Sequence, residues 1–138
     1  MNIQLLRDGV QLPVRSTPLS AGFDLFMPES GSVDGTAVKV GLGFASEIPP
    51  GFMALLLPRS GVGFKNGLEV NNTVGIIDAD YREEWFASLR TKSGTPFMWN
   101  AGDRLLQAVL VPRYIGEIVQ VESVAKTTRT GGLGSTGK

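Results

Sequence analysis

The chain has 138 residues, of which 42% are hydrophobic and 19% charged, and its 13 basic and 13 acidic residues give a net charge of zero. This balance is typical of one globular domain and provides no basic surface for DNA or RNA, so we expect a small partner and no nucleic acid. Cysteine and histidine are both absent, which excludes disulfides, Cys or His metal sites, a Ser-His-Asp triad and a thiol nucleophile. Proton transfer therefore falls to a carboxylate, a tyrosine or a lysine, and a metal would be a hard cation such as Mg²⁺ held by oxygens.

The start of the chain, MNIQLLRDG, lacks the basic segment and the long apolar run of a signal peptide. Elsewhere in the sequence, no apolar stretch approaches the length that crosses a membrane. We therefore expect a cytoplasmic protein that has no membrane partner.

Frequent glycine and proline residues, 18 and 8 in number, break the chain into the short segments typical of antiparallel strands. Strands are predicted over residues 38–42, 51–57, 85–90, 97–99 and 104–111. The apolar run 51–57 fits a strand that is covered on both faces and ends at Pro58. One short helix is predicted over residues 60–66, with a hydroxyl residue capping its first turn and Asn66-Gly67 ending it.

An isolated acidic residue, Asp24, lies in the apolar segment AGFDL at residues 21–25. A buried carboxylate is costly unless it is bonded, so Asp24 either fixes a turn or belongs to a site. Gln107 raises a similar question in the segment GDRLLQ at residues 102–107. Its amide lies on an otherwise apolar strand and needs partners, which a pocket would supply.

The segment PRSG at residues 58–61 places a basic side chain, a hydroxyl and a glycine where a strand gives way to the short helix. A helix N-terminus offers unpaired N–H groups, Arg59 adds a fork of donors, and Gly61 lets the backbone approach a ligand. This arrangement predicts anion binding by Arg59, Ser60 and Gly61. A plain turn with a surface arginine is the alternative.

Two carboxylates, Asp78 and Asp80, follow a short predicted strand in the segment GIIDADY at residues 75–81, which comes after a polar tip at 71–73. The alternation of a strand would point them to opposite faces. A carboxylate beside bound phosphates and a metal can accept a proton from water, and it is the usual base where histidine is missing. A simple hairpin turn is the alternative reading of Asp-Ala-Asp.

The segments AGFDL, PRSG, IDADY, GDRLLQ and GGLGSTG, in this order, resemble the five motifs of the trimeric dUTPase family, over residues 21–137. The resemblance implies an all-β distorted jelly roll of the β-clip type, with a β-barrel domain over 1–126 and a flexible C-terminal arm over 127–138. It implies Mg²⁺-dependent hydrolysis of dUTP to dUMP and pyrophosphate by attack of water on the α-phosphorus. It also implies a homotrimer in which all three subunits build each active site and a partner's arm closes it.

By the same resemblance, Asp78 is the catalytic residue that activates the attacking water. Asn72 lies in the hairpin that recognises the uracil edge, where Gly75 and Ile77 also contact the substrate, and Tyr81 lies under the deoxyribose and leaves no room for a 2′-hydroxyl.

The resemblance assigns phosphate binding to Ser60 and Gln107 and substrate contact to Gly61, and it implies that Arg59 reaches a phosphate or a neighbouring subunit. It also places Asp24 near metal-bound waters, with Mg²⁺ held mainly by the substrate phosphates. These roles agree with the anion-binding chemistry predicted for the PRSG segment.

The glycine-rich arm departs from the family pattern in two places. Arg129 is displaced by one position, and we expect it still to reach the γ-phosphate because a glycine-rich segment can shift its register. Leu133 stands where an aromatic residue usually covers the uracil, so it excludes water but cannot stack as a ring does. Gly134, Ser135 and Thr136 match the remaining substrate contacts of the arm, the last two at the γ-phosphate.

Two other readings of the sequence stay open. A dCTP deaminase would have a related fold, but its sequence motif requires a catalytic glutamate. The presence of Asp78 with Tyr81 favours hydrolysis instead. The other alternative is not primarily an enzyme: a regulatory protein with the same fold that responds to a bound ligand. The altered arm favours this reading, because it weakens the case that the arm closes efficiently over a substrate. A purely structural jelly-roll subunit would not need five polar clusters.

Overall fold

The structure is a computed structural model in which residues 1–132 are described, and these residues form eleven β-strands and one short helix. The strands are β1 Asn2–Leu5, β2 Phe23–Phe26, β3 Gly31–Val33, β4 Val38–Gly41, β5 Phe44–Glu47, β6 Phe52–Pro58, β7 Leu68–Val70, β8 Gly75–Ile77, β9 Phe86–Thr91, β10 Phe97–Trp99 and β11 Arg104–Pro112. The helix, α1, spans Ser60–Asn66. The prediction of an all-β protein with one short helix is confirmed.

Two larger sheets form the body of the molecule, and all of their pairings are antiparallel. The first has the strand order β2-β11-β6-β8, and the second has the order β4-β9-β7. Two small sheets, β1-β5 and β10-β3, complete the fold. Strands that are close in the chain, such as β7 and β8, thus belong to different sheets.

The core is centred on Trp85, whose side chain is fully buried. Its ring packs at 5.1 Å from that of Phe44, and its Nε1 donates a hydrogen bond of 3.1 Å to the Oγ of Ser46. A buried indole is stable only where its N–H finds such an acceptor. Leu25, Leu56, Leu89 and Leu106 from both larger sheets pack in the same cluster.

The apolar run 51–57 does form a strand, but it is not covered on both faces in the single chain. In β6, Ala54 and Leu56 are buried, whereas the alternating residues Met53, Leu55 and Leu57 are only partly buried. This alternation arises because one face of β6 packs on the core and the other is partly open. The prediction of two covered faces is therefore wrong for the chain alone.

Helix α1 ends as predicted, because Gly67 adopts the left-handed conformation with φ of 64°. The predicted hydroxyl cap is wrong: Arg59 is the N-cap residue and makes no capping hydrogen bond through its side chain. Ser60 already lies inside the first turn, where its hydroxyl comes one position too late to cap. No helix of residues 1–132 has the length and apolar character needed to span a membrane.

After β11 ends at Pro112, residues 113–132 contain no helix or strand. The backbone of Arg113 still donates a hydrogen bond to the Gly51 carbonyl. Beyond this point the segment carries exposed apolar side chains: Tyr114, Ile115, Ile118, Val119, Val121 and Val124. We call residues 113–124 the apolar segment. The boundary between domain and arm at residues 126 and 127 stays a prediction.

Candidate active site

A cleft of about 350 Å³ opens between the two larger sheets, and we call it the β8–β9 cleft. One wall is β8, which is the outer strand of the four-stranded sheet, and the other is β9 from the three-stranded sheet. Five residues predicted to bind or process the substrate line this cleft, namely Asn72, Gly75, Ile77, Asp78 and Tyr81. The structure therefore brings the residues of one sequence segment together around one space.

Residues 71–74 connect the two sheets through a tight turn. Thr73 has a positive φ of 72° and its N–H bonds the carbonyl of Val70 at 2.8 Å, while the Nδ2 of Asn72 bonds the carbonyl of Val74 at 3.2 Å. A non-glycine residue rarely adopts this left-handed conformation, so the turn is strained. The expected hairpin is not a paired one, because β7 pairs with β9 and β8 pairs with β6.

Close packing holds Gly75 against the floor of the cleft. A Cβ atom at this position would lie 2.9 Å from the Cβ of Leu56, its partner across β6 and β8. Only glycine therefore allows β8 to approach β6 this closely. The position of Gly75 explains how the strand that carries Ile77 reaches the cleft wall.

Asp78 follows the last residue of β8 and lies in a turn, where the Tyr81 N–H donates to the Asp78 carbonyl at 3.2 Å. Asp78 and Asp80 both line a second concavity of about 760 Å³ beside the β8–β9 cleft, which Arg113 also lines. The prediction that the two carboxylates face opposite sides is wrong, because the strand ends before them. Only Asp78 of this pair also lines the cleft.

Tyr81 is held in place at both ends of its side chain. Its ring packs against the hydrophobic core, and its hydroxyl donates a hydrogen bond of 3.0 Å to the carbonyl of Glu84. A ring fixed in this way presents a constant surface to the cleft. This arrangement fits a residue that sets the shape of a binding site.

The buried carboxylate of Asp24 joins two arginines from distant parts of the chain. Its Oδ1 lies 2.8 Å from the Nε of Arg59, and its Oδ2 lies 3.1 Å from the Nη1 of Arg104. The hydroxyl of Ser16 also donates to Oδ2 at 3.0 Å. Because two guanidinium groups share one carboxylate, the cluster keeps a surplus of positive charge that attracts anions.

Gln107 lies next to this arginine cluster, opposite Asp24 in the β2–β11 ladder. Its Nε2 donates to the carbonyl of Pro58 at 3.1 Å, so the fold itself satisfies part of the amide. Ser60 and Gly61 line a shallow concavity of about 290 Å³ together with Arg59. The structure thus places Arg59, Ser60 and Gly61 on a different concavity from Asp78, with Gln107 beside Asp24, the ion-pair partner of Arg59.

Residues 127–132, the described part of the arm, line none of these three concavities. Arg129 is exposed and its Nε donates to the carbonyl of Gly131 at 3.2 Å. Leu133, Gly134, Ser135 and Thr136 lie outside the described residues, so their predicted contacts stay predictions.

The described residues fit a Mg²⁺ ion that phosphate oxygens and water mainly coordinate. Among residues 1–132, no group of three or more Asp, Glu, His or Cys side chains is arranged to hold a metal. Mg²⁺ commonly keeps several waters and binds through phosphates and one or two carboxylates. Asp24 is the acidic side chain in the arginine cluster, and a carboxylate with about four lone-pair sites retains room for metal-bound water. Its predicted role near those waters stays a prediction.

Sequence reasoning missed two residues at these sites. Arg104 belongs to the GDRLLQ segment, yet its pairing with Asp24 across 80 positions has no local signal in the sequence. Phe86 lines the β8–β9 cleft. In the sequence it could not be told apart from its neighbour Trp85, because both are aromatic residues of a predicted strand. Strand alternation was the available signal, since it places these two aromatics on opposite faces.

The sequence model of the dUTPase family matches residues 8–137. The chain belongs to the dUTPase family. It is 39% identical over 140 residues to the deoxyuridine 5′-triphosphate nucleotidohydrolase of Nautilia profundicola, with 100% of this chain and 99% of the relative covered. The enzyme of the same name from Acinetobacter baumannii is 42% identical over 132 residues, covering 92% and 88% of the two chains. Members of this family are hydrolases, and the chain is assigned to that class of enzyme.

Solved dUTPase structures share the fold of this chain. The Staphylococcus bacteriophage 80alpha dUTPase with dUPNHPP has a TM-score of 0.88 at 25% identity, over 99% of this chain and 98% of that one. A mutant dUTPase from phage phi11 of S. aureus, studied for its coordination of a structural Mg(II) ion, has a TM-score of 0.80 at 26% identity, over 88% and 96%. The expected distorted jelly roll is confirmed by these similarities.

Proposed function

We propose that this dUTPase-family chain hydrolyses dUTP to dUMP and pyrophosphate, with Mg²⁺ required. The observation that carries the proposal is the position of Asp78, which lies where the β8–β9 cleft adjoins the larger concavity. A nucleoside seated in the cleft would leave its phosphates beside this carboxylate. The names of the relatives and the dUTP analogue bound to a similar structure support the same reaction.

In the proposed reaction, the Asp78 carboxylate takes a proton from a water molecule as that water attacks the α-phosphorus. A P–O bond forms to the water oxygen, and the bond from the α-phosphorus to the bridging oxygen breaks, which releases pyrophosphate. The exposed side chain of Asp78 makes no hydrogen bond within residues 1–132, so its oxygens are free to accept from water. Mg²⁺ bound to the phosphates would neutralise part of their negative charge.

Selection of the base and the sugar is assigned to the cleft. Asn72 and the backbone of the strained turn would bond the uracil edge, with Gly75 and Ile77 packed beside it. Tyr81 would lie under the deoxyribose. A site built to bond particular polar groups penalises a base that lacks them, which supports rejection of dCTP.

The phosphates are assigned to Arg59, Ser60, Gly61 and Gln107, with Asp24 near metal-bound waters. The surplus positive charge of the arginine cluster supports this role. Arg129, Ser135 and Thr136 would bind the γ-phosphate, with Gly134 beside them and Leu133 over the uracil.

We further propose that three chains assemble and share their active sites. Within one chain, the residues assigned to the nucleoside line one concavity, whereas Arg59, Ser60 and Gly61, assigned to the phosphates, line another. The exposed side chains of the apolar segment also lack packing in the single chain, and burial against a second copy would remove them from water. Sedimentation equilibrium tests this proposal, and a particle of one chain would contradict it.

The decisive experiment for the reaction is a pyrophosphate-release assay across the four standard deoxynucleoside triphosphates and dUTP, with Mg²⁺ and with EDTA. We expect release from dUTP alone, and only with the metal present. Release of ammonia from dCTP would instead identify a deaminase. Binding of dUPNHPP without turnover of dUTP would identify the regulatory alternative and contradict the proposal.

Tyr81→Ala should weaken the discrimination against ribonucleotides. Loss of the ring opens space beside the sugar, so we expect the ratio of kcat/KM for UTP to that for dUTP to rise by about tenfold. Tyr81→Phe is the control, since it keeps the ring and loses only the hydrogen bond to Glu84. A ratio that is the same in all three proteins would remove Tyr81 from sugar selection.

Asp24→Asn should weaken triphosphate binding while leaving the chemical step intact. Arg59 and Arg104 would lose their shared charge partner and adopt other positions. We expect KM for dUTP to rise about fivefold, as for the loss of ~1 kcal/mol from a charge-assisted bond. Glu69→Gln is the matched control. It also removes the charge partner of an arginine, Arg90, but Glu69 lines none of the three concavities. Equal effects of the two variants would contradict a specific role for Asp24.

A further inference from the structure

Phe86 is an aromatic side chain that the fold keeps partly exposed beside the nucleoside residues. Along β9, Ala87, Leu89 and Thr91 point into the core, so Phe86 and Ser88 point out of the sheet. The Phe86 side chain is 42% exposed and lines the β8–β9 cleft with Asn72 and Tyr81. An exposed ring in a cleft offers a flat apolar surface to a ligand.

Lys39 holds this ring from one side. Its Nζ lies 4.0 Å from the centroid of the Phe86 ring, which is cation–π contact. In the β4–β9 ladder Lys39 is opposite Ser88 and Gly41 is opposite Phe86. Because Gly41 has no side chain, the stem of Lys39 can cross the ladder diagonally and lie over the ring. The cation therefore restrains Phe86 without filling the cleft.

Tyr81, the other aromatic residue that lines the cleft, is less available to stack on a base. The Tyr81 ring is packed on the core and tied to Glu84. The arm residue Leu133 has no ring to offer. Every nucleobase has a π-face, and stacking on an aromatic side chain contributes about 1–3 kcal/mol per base. Phe86 is thus the described residue with both the chemistry and the exposure to supply this contact.

We propose that Phe86, positioned by Lys39, is the aromatic surface against which the nucleobase packs in this protein. The inference rests on the proposed function, because it assumes that a nucleotide occupies the cleft. It adds a binding determinant on the body of the chain to the polar recognition assigned to the turn.

Calorimetric titration of the full chain with dUPNHPP tests the proposal. We expect Phe86→Leu to raise the Kd about fivefold or more, and Phe86→Tyr to restore the affinity because it restores the ring. Inorganic tripolyphosphate, which has no base, should bind Phe86→Leu and the unaltered chain equally. Phe64→Leu is the matched control, since that ring is 94% exposed on α1 and lines neither concavity.

Lys39→Met tests the positioning role. We expect about a twofold rise in Kd for dUPNHPP, and no further rise when Lys39→Met is added to Phe86→Leu. Unchanged dUPNHPP affinity in Phe86→Leu, or an equal loss of tripolyphosphate affinity, would overturn the proposal. If the unaltered chain hydrolyses dUTP while Phe86→Leu binds the analogue normally, the proposed function stands and this inference alone fails. An unaltered chain that neither binds nor hydrolyses would overturn both.

Discussion

Replacing Asp78 by asparagine is expected to lower kcat for dUTP by about two to four orders of magnitude, because a positioned general base contributes that much to a proton transfer. Asparagine has the same shape but cannot take the proton from water. Asp78 is exposed and its side chain makes no hydrogen bond within residues 1–132, so the fold should not respond to the change. Steady-state kinetics should show the loss in kcat with KM nearly unchanged.

Asp80→Asn is the matched control for this experiment. Asp80 lies two positions away and lines the same large concavity, but it does not line the β8–β9 cleft. We expect it to keep most of the activity. An equal loss in both variants would show that charge in the concavity matters and that Asp78 has no special role.

Trp85→Ala is expected to cost about 3–5 kcal/mol of the free energy of unfolding, as is usual when a large buried ring is removed from a core. The side chain is 0% exposed, packs on Phe44 and bonds Ser46. Truncation leaves a cavity and removes the donor to the Ser46 hydroxyl. Urea denaturation at one fixed protein concentration measures the change, because assembly would make stability depend on concentration.

Trp85→Phe separates the two contributions to this loss. It keeps an aromatic ring in the core and removes the indole N–H, so we expect a loss of roughly 1–2 kcal/mol from the hydrogen bond and the smaller ring. A Trp85→Ala variant that unfolds at the urea concentration of the unaltered chain would contradict the core described here.

Much of the fold could be predicted because its longer strands have strong local signals. β6 and β11 are long apolar runs between turn residues, and both were predicted to within one residue at their ends. β1, β3 and β7 have only three or four residues, too few for a period of two to stand out from chance. Their strand structure comes from pairing with partners far along the chain.

The same limit applies to the candidate site: residues that share one sequence segment could be predicted, whereas contacts between distant segments could not. Asp78 and Tyr81 could be found because one short segment carries both, and the structure places them around one cleft. The arrangement of Asp24 with two arginines could not be found, since no local pattern links residues 24 and 104. The contact of Lys39 with Phe86 likewise depends on the register of β4 and β9.

The walls of the β8–β9 cleft belong to two different sheets, so its width equals the separation of those sheets and is not a property of one loop. A core side chain that changes this separation would change the width of the cleft, although it does not line it. On the proposed function, we therefore expect interior substitutions that conserve volume to affect substrate choice less than those that change it. The interior residues that keep the chain folded would then also set the shape of the space offered to a base.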